Sequence, residues 1–282
     1  MKVAQTIQSA RDEVKAARSR GKTIGLVPTM GALHIGHISL IEQAKKKTDY
    51  VVVSIFVNPT QFGPAEDFEK YPRPIKEDLE ICKKTGVDLV FNPKTQKMYP
   101  DGNLTWVDIE KITEPLCGRS RPKHFRGVAT VCAKLFNIVT PDIAFFGQKD
   151  GQQAVVVKRM VADLNMPLKI VVCPTVRERS GLAVSSRNKY LTEEQKKDAA
   201  LIYKSLQKAR SIIKSETKDS QIVIEKMLAV LNQAPSITIE YIEIVDADTM
   251  QKLNPITGQA LIAIAAKIGS ARLIDNIVVD AG

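Results

Sequence analysis

Two of the chain's three histidines, His34 and His37, stand three residues apart, beside Gly31 and Gly36, in the stretch 23–47. That spacing can put both imidazoles on one side of a helical turn, where ring N–H groups can donate to phosphate oxygens. The residues before them, 23–27, form a short apolar run of strand type that Pro28 should end. From Ile38 onward apolar residues recur at Leu40, Ile41 and Ala44, the rhythm of a helix. The histidines therefore belong at a helix mouth, where unpaired backbone N–H groups and the positive dipole end favour an anion. Gly31 and Gly36 remove side chains where such a ligand would approach. A lone histidine is more often a half-buried polar group, and it is the pairing that argues for chemistry. Zinc ligation is disfavoured, since no Glu follows the first His in an HExxH arrangement and the four cysteines form no CxxC pair.

Other reactive or hydrogen-bonding groups fall at further strand ends. Asn58 and Gln61 follow the β-branched run 50–57, where open α/β sheets bind ligands. The segment 119–126 packs four cationic side chains, Arg121 among them, around His124 and near prolines that hold it in a loop. That makes it either a solvated face or an anion site. Lys149 lies between the strand 142–146 and the helix 154–164, placed to meet a polyphosphate as a point charge. Further on, 184–187 reads Val-Ser-Ser-Arg, suited to a phosphate-binding loop.

The elements that position these groups alternate. Strands at 23–27, 50–57, 87–91, 142–146 and 169–173 are separated by helices at 38–47, 74–84, 128–139 and 154–164. This predicts an α/β fold with a Rossmann-like, doubly wound parallel sheet. A first helix-like segment covers 1–20, and a short strand 105–109 lies in an irregular stretch. After Arg187 the pattern changes. Thr192 and Gln195 form a capping box, helices cover 192–214 and 221–231, and strands follow at 238–245, 260–267 and 272–279, an α+β arrangement with antiparallel pairing. Two domains are expected, 1–176 and a smaller lid domain, 177–282. With 41 Lys+Arg against 31 Asp+Glu the chain favours anionic partners. An RNA-binding module is the competing class, but aromatic residues are only 5% and no RNP-type motif is present. No P-loop or GxGxxG fingerprint occurs, and no segment reads as a signal peptide or a membrane span. The widely spaced cysteines fit reduced thiols of a cytoplasmic protein.

PTMGALHIGH resembles the HIGH-type signature of class I aminoacyl-tRNA synthetases and small nucleotidyltransferases, and in this form the pantoate–β-alanine ligase family. Four more segments are similar to that family: NPxQF at Asn58, Pro59, Gln61 and Phe62; RPxHFxGV at Arg121, Pro122, His124, Phe125, Gly127 and Val128; FGxKDxQQ from Phe146 to Gln153; and the closing ARLIDN. The family's RExDGLAxSSRN is also matched, with Ser180 where Asp is usual. The resemblance implies ATP-dependent ligation of pantoate and β-alanine through a pantoyl adenylate. It implies an ATP site built from Met30, Gly31, Ala32, Leu33, His34, Ile35, Gly36, His37, Gly147, Gln148, Lys149, Asp150, Val176, Val184, Ser185, Ser186 and Arg187, of which His34, His37, Lys149 and Arg187 are catalytic. Gln61 and Gln153 would bind pantoate, and Asn58 and Arg121 are grouped with them as pantoate or β-alanine contacts. Mg²⁺ would accompany ATP without a dedicated protein metal site, and the protein would be a cytoplasmic homodimer. Another HIGH-motif nucleotidyltransferase or carboxylate-adenylating enzyme is the alternative reading.

Overall fold

The structure, a computed structural model, describes residues 1–64 and 66–282. The chain divides into two compact units. Met1–Glu110, Arg121–Gly147 and Val156–Cys173 form the first; Lys111–Ser120, Gln148–Val155 and Pro174–Gly282 form the second.

The first unit is built on a parallel sheet of β1 (Lys2–Ala4), β2 (Ile24–Thr29), β3 (Tyr50–Ile55), β4 (Leu89–Phe91), β5 (Ile143–Gly147) and β6 (Lys169–Cys173), in the spatial order β1-β4-β3-β2-β5-β6. β3 is buried along its whole length, which is why its sequence is a nearly continuous apolar run, broken only by the buried Ser54, rather than an alternation. Successive residues face opposite sides. Leu26, Tyr50, Val52, Leu89 and Phe91 point to one core, with Ala10, Val14 and Ala17 of α1 (Ile7–Arg18) and the apolar stripe of α6 (His124–Val139). Val27, Val51, Val53 and Val90 point to the other, against Leu40, Ile41 and Ala44 of α2 (Ile35–Lys47) and Cys82 of α3 (Ile75–Lys84). The sheet is thus wound on both faces, as the alternating elements predict. Strand order reverses between β2 and β5, the position where open α/β sheets place their ligand crevice. Two short helices, α4 (Thr95–Met98) and α5 (Cys117–Ser120), punctuate the irregular stretch, and α7 (Gly151–Asp163) follows β5.

Several local expectations need correction. The segment 1–20 is not one helix, because Lys2–Ala4 pairs with β4 at the sheet edge before Thr6 caps α1. Pro28 does not end β2. The strand runs on to Thr29 against β3, while β5 pairs only with Gly25 and Leu26, so the missing N–H at Pro28 removes no ladder bond on that side. The stretch 105–109 forms no strand; the Val107 amide donates instead to Thr130 Oγ1 of α6. The first turn of that helix already contains His124 and Phe125.

The second unit has the expected α+β content. α8 (Glu193–Ser215) opens with the reciprocal Thr192–Gln195 capping box, and α9 (Ser220–Leu231) is capped by Asp219. β7 (Ile237–Asp246), β8 (Gln259–Ile268) and β9 (Ala271–Asp280) form an antiparallel sheet, whose Ile262, Ile264, Ala266 and Ile277 pack with Ile202, Leu206, Ala209 and Ile213 of α8. All four cysteines are free and buried. Burial pushes the Cys132 thiol up to about 12, and burial with the nearby Asp78 charge does the same to Cys82.

Candidate active site

Where β2 ends, the chain turns through Met30, Gly31, Ala32 and Leu33 into α2. Two acceptors hold this turn. Thr29 Oγ1 accepts the Gly31 amide at 3.1 Å, and the fully buried carboxylate of Asp78, from the first turn of α3, accepts Ala32 N at 2.9 Å and Leu33 N at 2.7 Å. Ala32 has φ 51°, a left-handed conformation that costs a non-glycine residue about 1 kcal/mol. The paired amide bonds to one carboxylate supply more than that.

His34 is the N-cap of α2. Its Nδ1 accepts the Gly36 amide at 3.1 Å, while His37 Nδ1 accepts the His34 amide at 3.2 Å, so the two imidazoles form a reciprocal capping box. Their centroids lie 4.1 Å apart. A ring nitrogen that accepts carries no proton, so each neutral imidazole carries its N–H at Nε2. The sequence spacing predicts that pairing. It does not predict that the backbone donors of the turn are already engaged by protein acceptors, nor that the space beside Gly36 is taken by the His34 ring. The amides of Gly31, Ala32, Leu33, His34 and Gly36 are thereby engaged within the turn itself.

A cavity of about 400 Å³ opens at the carboxyl ends of β2, β3 and β4, lined by Met30, Ile55, Phe56, Val57, Asp78 and Asn92 among others. Gln61 ends the 3-10 turn Pro59–Gln61 that follows β3, and its amide nitrogen lies 3.1 Å from the Met30 sulfur. Asn58, expected to touch substrate, is instead fully buried. Its Nδ2 donates to Gln61 Oε1 and to the Gly127 carbonyl, and its Oδ1 accepts both Thr60 N and Thr60 Oγ1. The amide has no remaining capacity, so Asn58 positions Gln61. Gly127 is where α6 meets this turn, and a Cβ there would collide with the Thr60 carbonyl.

Arg121 is likewise turned inward. It donates to Glu66 through Nε and Nη2, and also to the Gln61 carbonyl at 3.2 Å. Its Nη1 lies 3.2 Å from His124 Nε2, whose Nδ1 in turn reaches the Gln61 carbonyl at 2.8 Å. Burial alone would raise the Glu66 carboxyl, but the Arg121 hydrogen bond and charge, with help from His124 and the Gly63 amide, hold it below the ordinary value. Arg121 and His124 therefore brace the Gln61 backbone.

In the second unit, a 3-10 turn, Gln148–Asp150, leads into α7. The half-buried Lys149 ammonium lies 3.6 Å from Asp150. The adjacent glutamines have different environments. Gln152 is buried and clamps the 111–120 segment, accepting Cys117 N and donating to the Ile112 and Pro115 carbonyls, whereas Gln153 is half-buried. Val184 N donates to Val176 O, an isolated bridge joins Arg177 to Ala183, and Ser185 caps the 3-10 turn Ser186–Tyr190 that carries Arg187. Ser180 Oγ accepts the Leu182 amide at 3.3 Å, so the hydroxyl performs a turn-capping role open to the family's Asp.

Sequence reasoning did not single out Asp78, Glu66 or Asn276. Asp78 looks like an ordinary first-turn acid; the polar pair Asp275-Asn276 interrupting the apolar residues Leu273, Ile274, Ile277, Val278 and Val279 is a readable signal.

The family model described as pantoate-beta-alanine ligase matches residues 2–278. The pantothenate synthetase of Acetivibrio thermocellus is 50% identical over 280 residues, 99% of this chain and 100% of that protein, and that of Moorella thermoacetica is 52% identical over 99% of each. A crystal structure of pantothenate synthetase from Thermus thermophilus superposes with a TM-score of 0.93 at 40% identity, covering 98% of this chain and 99% of that one. A pantoate-beta-alanine ligase from Francisella tularensis, crystallised with beta-gamma ATP and beta-alanine, superposes with a TM-score of 0.81 at 39% identity, covering 99% and 97%.

Proposed function

The chain belongs to the pantoate-beta-alanine ligase family, and from that premise we propose that it joins pantoate to β-alanine at the expense of ATP, releasing AMP and pyrophosphate. The observation that carries this reading is the mutually capped His34–His37 pair, which sits at the end of β2 in a chain matched by the family model almost throughout.

In the first half-reaction the pantoate carboxylate oxygen attacks the α-phosphorus and the bond to pyrophosphate breaks. In the second, the uncharged amine of β-alanine attacks the acyl carbon, AMP leaves with the bonding electron pair, and the amine loses a proton. The difficulty of the first step is the approach of two like charges, which is met by positioning and charge neutralisation rather than by a protein nucleophile. His34 and His37 donate from Nε2 to phosphate oxygens. Lys149 and Arg187 contribute charge, and Ser185 and Ser186 contribute hydroxyl and backbone donors. Gly147, Gln148 and Asp150, with Val176 and Val184, border the nucleotide. Gln61 and Gln153 read pantoate, with Asn58 and Arg121 setting the position of Gln61. The segment 184–187 closes over bound nucleotide, which protects the adenylate from water.

Among the described residues no group of three His, Cys, Asp or Glu side chains is arranged to hold a metal ion. Mg²⁺ enters this proposal as a counter-ion carried by the polyphosphate and its waters. The partition into a substrate domain, 1–176, and a lid, 177–282, the homodimeric state and the cytoplasmic location belong to the same proposal. No helix among the described residues is long and apolar enough to cross a membrane.

Pyrophosphate–ATP exchange tests the assignment. Exchange should require pantoate, and pantothenate should appear only when β-alanine is added; exchange supported by an amino acid and not by pantoate would overturn the substrate assignment. Gln61→Ala should raise the pantoate concentration needed for half-maximal exchange more than it raises that for ATP.

A further inference from the structure

The Lys149 turn is fastened from the last strand of the chain. Asn276, on β9 and only 6% exposed, directs its whole side-chain amide at this turn. Nδ2 donates to the Gln148 carbonyl and to the Lys149 carbonyl, each at 2.9 Å, while Oδ1 accepts Gln148 Nε2 at 2.8 Å. A Cβ on Gly151 would come within 2.9 Å of Asn276 Oδ1, so the approach is as close as a glycine allows. The amide is itself held firmly. The Asn276 backbone N–H donates to Asp275 Oδ1 at 2.8 Å, and the Asp275 carboxylate makes a bidentate pair with Arg177 at 2.6 and 3.0 Å. Arg177 also donates to the Gly181 carbonyl at 3.1 Å and lies over the Tyr203 ring.

Three hydrogen bonds from one buried side chain to a three-residue turn exceed what a strand needs for its own stability. A serine or an apolar residue at this position would remove the Nδ2 donor from both carbonyls. Asn is distinctive in offering two donors on one nitrogen and an acceptor beside them, which matches two successive carbonyls and one side-chain amide. Both carbonyls belong to the residues that carry the phosphate-facing ammonium and its neighbour. Fixing the Lys149 carbonyl fixes the Cα from which the flexible four-carbon stem departs.

We infer that Asn276 is a positioning residue for the adenylation step, holding the backbone of the Gln148–Asp150 turn so that the Lys149 ammonium meets the polyphosphate in reactive geometry. The inference rests on the role proposed above for Lys149. A displacement of about 1 Å in a positioned group can cost on the order of 10²-fold in rate. Asn276→Ala in the full chain should therefore slow pantoate-dependent pyrophosphate–ATP exchange by about 10- to 100-fold. The loss should fall on the maximal rate more than on the pantoate requirement.

The decisive measurement is a double-mutant cycle with Lys149→Ala. If Asn276 acts through Lys149, the double variant exchanges no more slowly than Lys149→Ala alone; a merely structural residue would multiply the two losses. Asn276→Asp provides a second arm. Its carboxylate would face two carbonyl oxygens at neutral pH, and protonation would restore one donor. Its exchange rate relative to wild type should therefore recover as pH falls from about 8 to about 6, a trend the alanine variant lacks. This arm also serves if Asn276→Ala does not fold. Lys149→Ala with normal exchange would refute the role of Lys149 itself. A slow Lys149→Ala together with a normal Asn276→Ala, with multiplying losses, or with an Asn276→Asp variant that shows no recovery in acid would overturn the positioning role alone.

Discussion

In the turn that leads into α2, an acid accepts backbone amides and the two histidines cap each other; in the turn that leads into α7, an amide donates to backbone carbonyls and the Lys149 ammonium lies 3.6 Å from the Asp150 carboxylate. The first arrangement merges scaffold and chemistry, because the imidazole atoms that fix the helix start belong to the rings proposed to face phosphate. The second separates them, since Asn276 builds the turn and the ammonium is left to act. Substitutions should therefore behave differently in the two places: in the histidine turn, stability and rate fall together, whereas at Lys149 the rate falls alone.

The sharpest version of this contrast is Lys149→Ala. Adenylate formation measured in a single turnover should drop by roughly 10²–10³, the usual loss for one charge-stabilising donor, while the thermal midpoint stays within the range of surface substitutions. A midpoint that falls along with the rate would erase the distinction.

His34→Ala comes next. It should lower the same rate by about 10² and also remove an N-cap worth about 1 kcal/mol in urea unfolding. His34→Asn separates the two roles, because asparagine is a good N-cap but has no Nε2 donor. The asparagine variant should regain stability without regaining rate. Recovery of both would mean that His34 acts only as a cap.

Asp78→Asn tests the scaffold of the histidine turn directly. Replacing a buried acceptor of two amides by a group with one oxygen and an unwanted NH₂ should cost about 1–3 kcal/mol in urea unfolding, with a smaller loss of rate than either histidine substitution. No change in stability would show that the left-handed Ala32 needs no such support.

The smallest effect is expected at Glu66, which braces the substrate loop through Arg121. Its carboxyl titrates below the ordinary value of 4.5, so the pair contributes stability above that value and loses it as pH falls through the lower folded value. In urea unfolding, wild type and Glu66→Gln should differ by less than about 1 kcal/mol at neutral pH and converge in acid. A gap that persists at low pH would assign the difference to packing instead of charge.

The periodic parts of the fold were legible in the sequence for physical reasons. β3 must be apolar on both faces, α2 and α8 carry amphipathic stripes, and the Thr192–Gln195 box marks a helix start by chemistry that is local in sequence. The His34–His37 spacing was readable on the same terms. What escaped were contacts closed over long separations. Asp78 lies 46 residues from Ala32, and Asn276 lies 128 from Gln148; nothing in either neighbourhood states the partner. Asn58 at its strand end and Arg121 in its cationic loop both read as substrate contacts, and only the folded geometry shows each of them hydrogen-bonded to Gln61. β1 escaped because three residues carry too little periodicity to be read as a strand.

The sheltered thiols lead to a different kind of consequence. Cys82 and Cys173 lie in one core of the first unit, Cys132 lies in the other, and Cys117 is buried in the second unit. With Cys82 and Cys132 pushed up to about 12, almost none of either thiol is ionised at neutral pH, and burial keeps alkylating reagents away from both. Each becomes reactive only when its surroundings open. A small alkylating reagent, followed by mass spectrometry of the separate cysteine peptides, would then work as a set of four stopwatches written into the natural sequence. Each would time the breathing of its own surroundings, Cys82 and Cys173 reporting on one shared core, without any label having to be introduced.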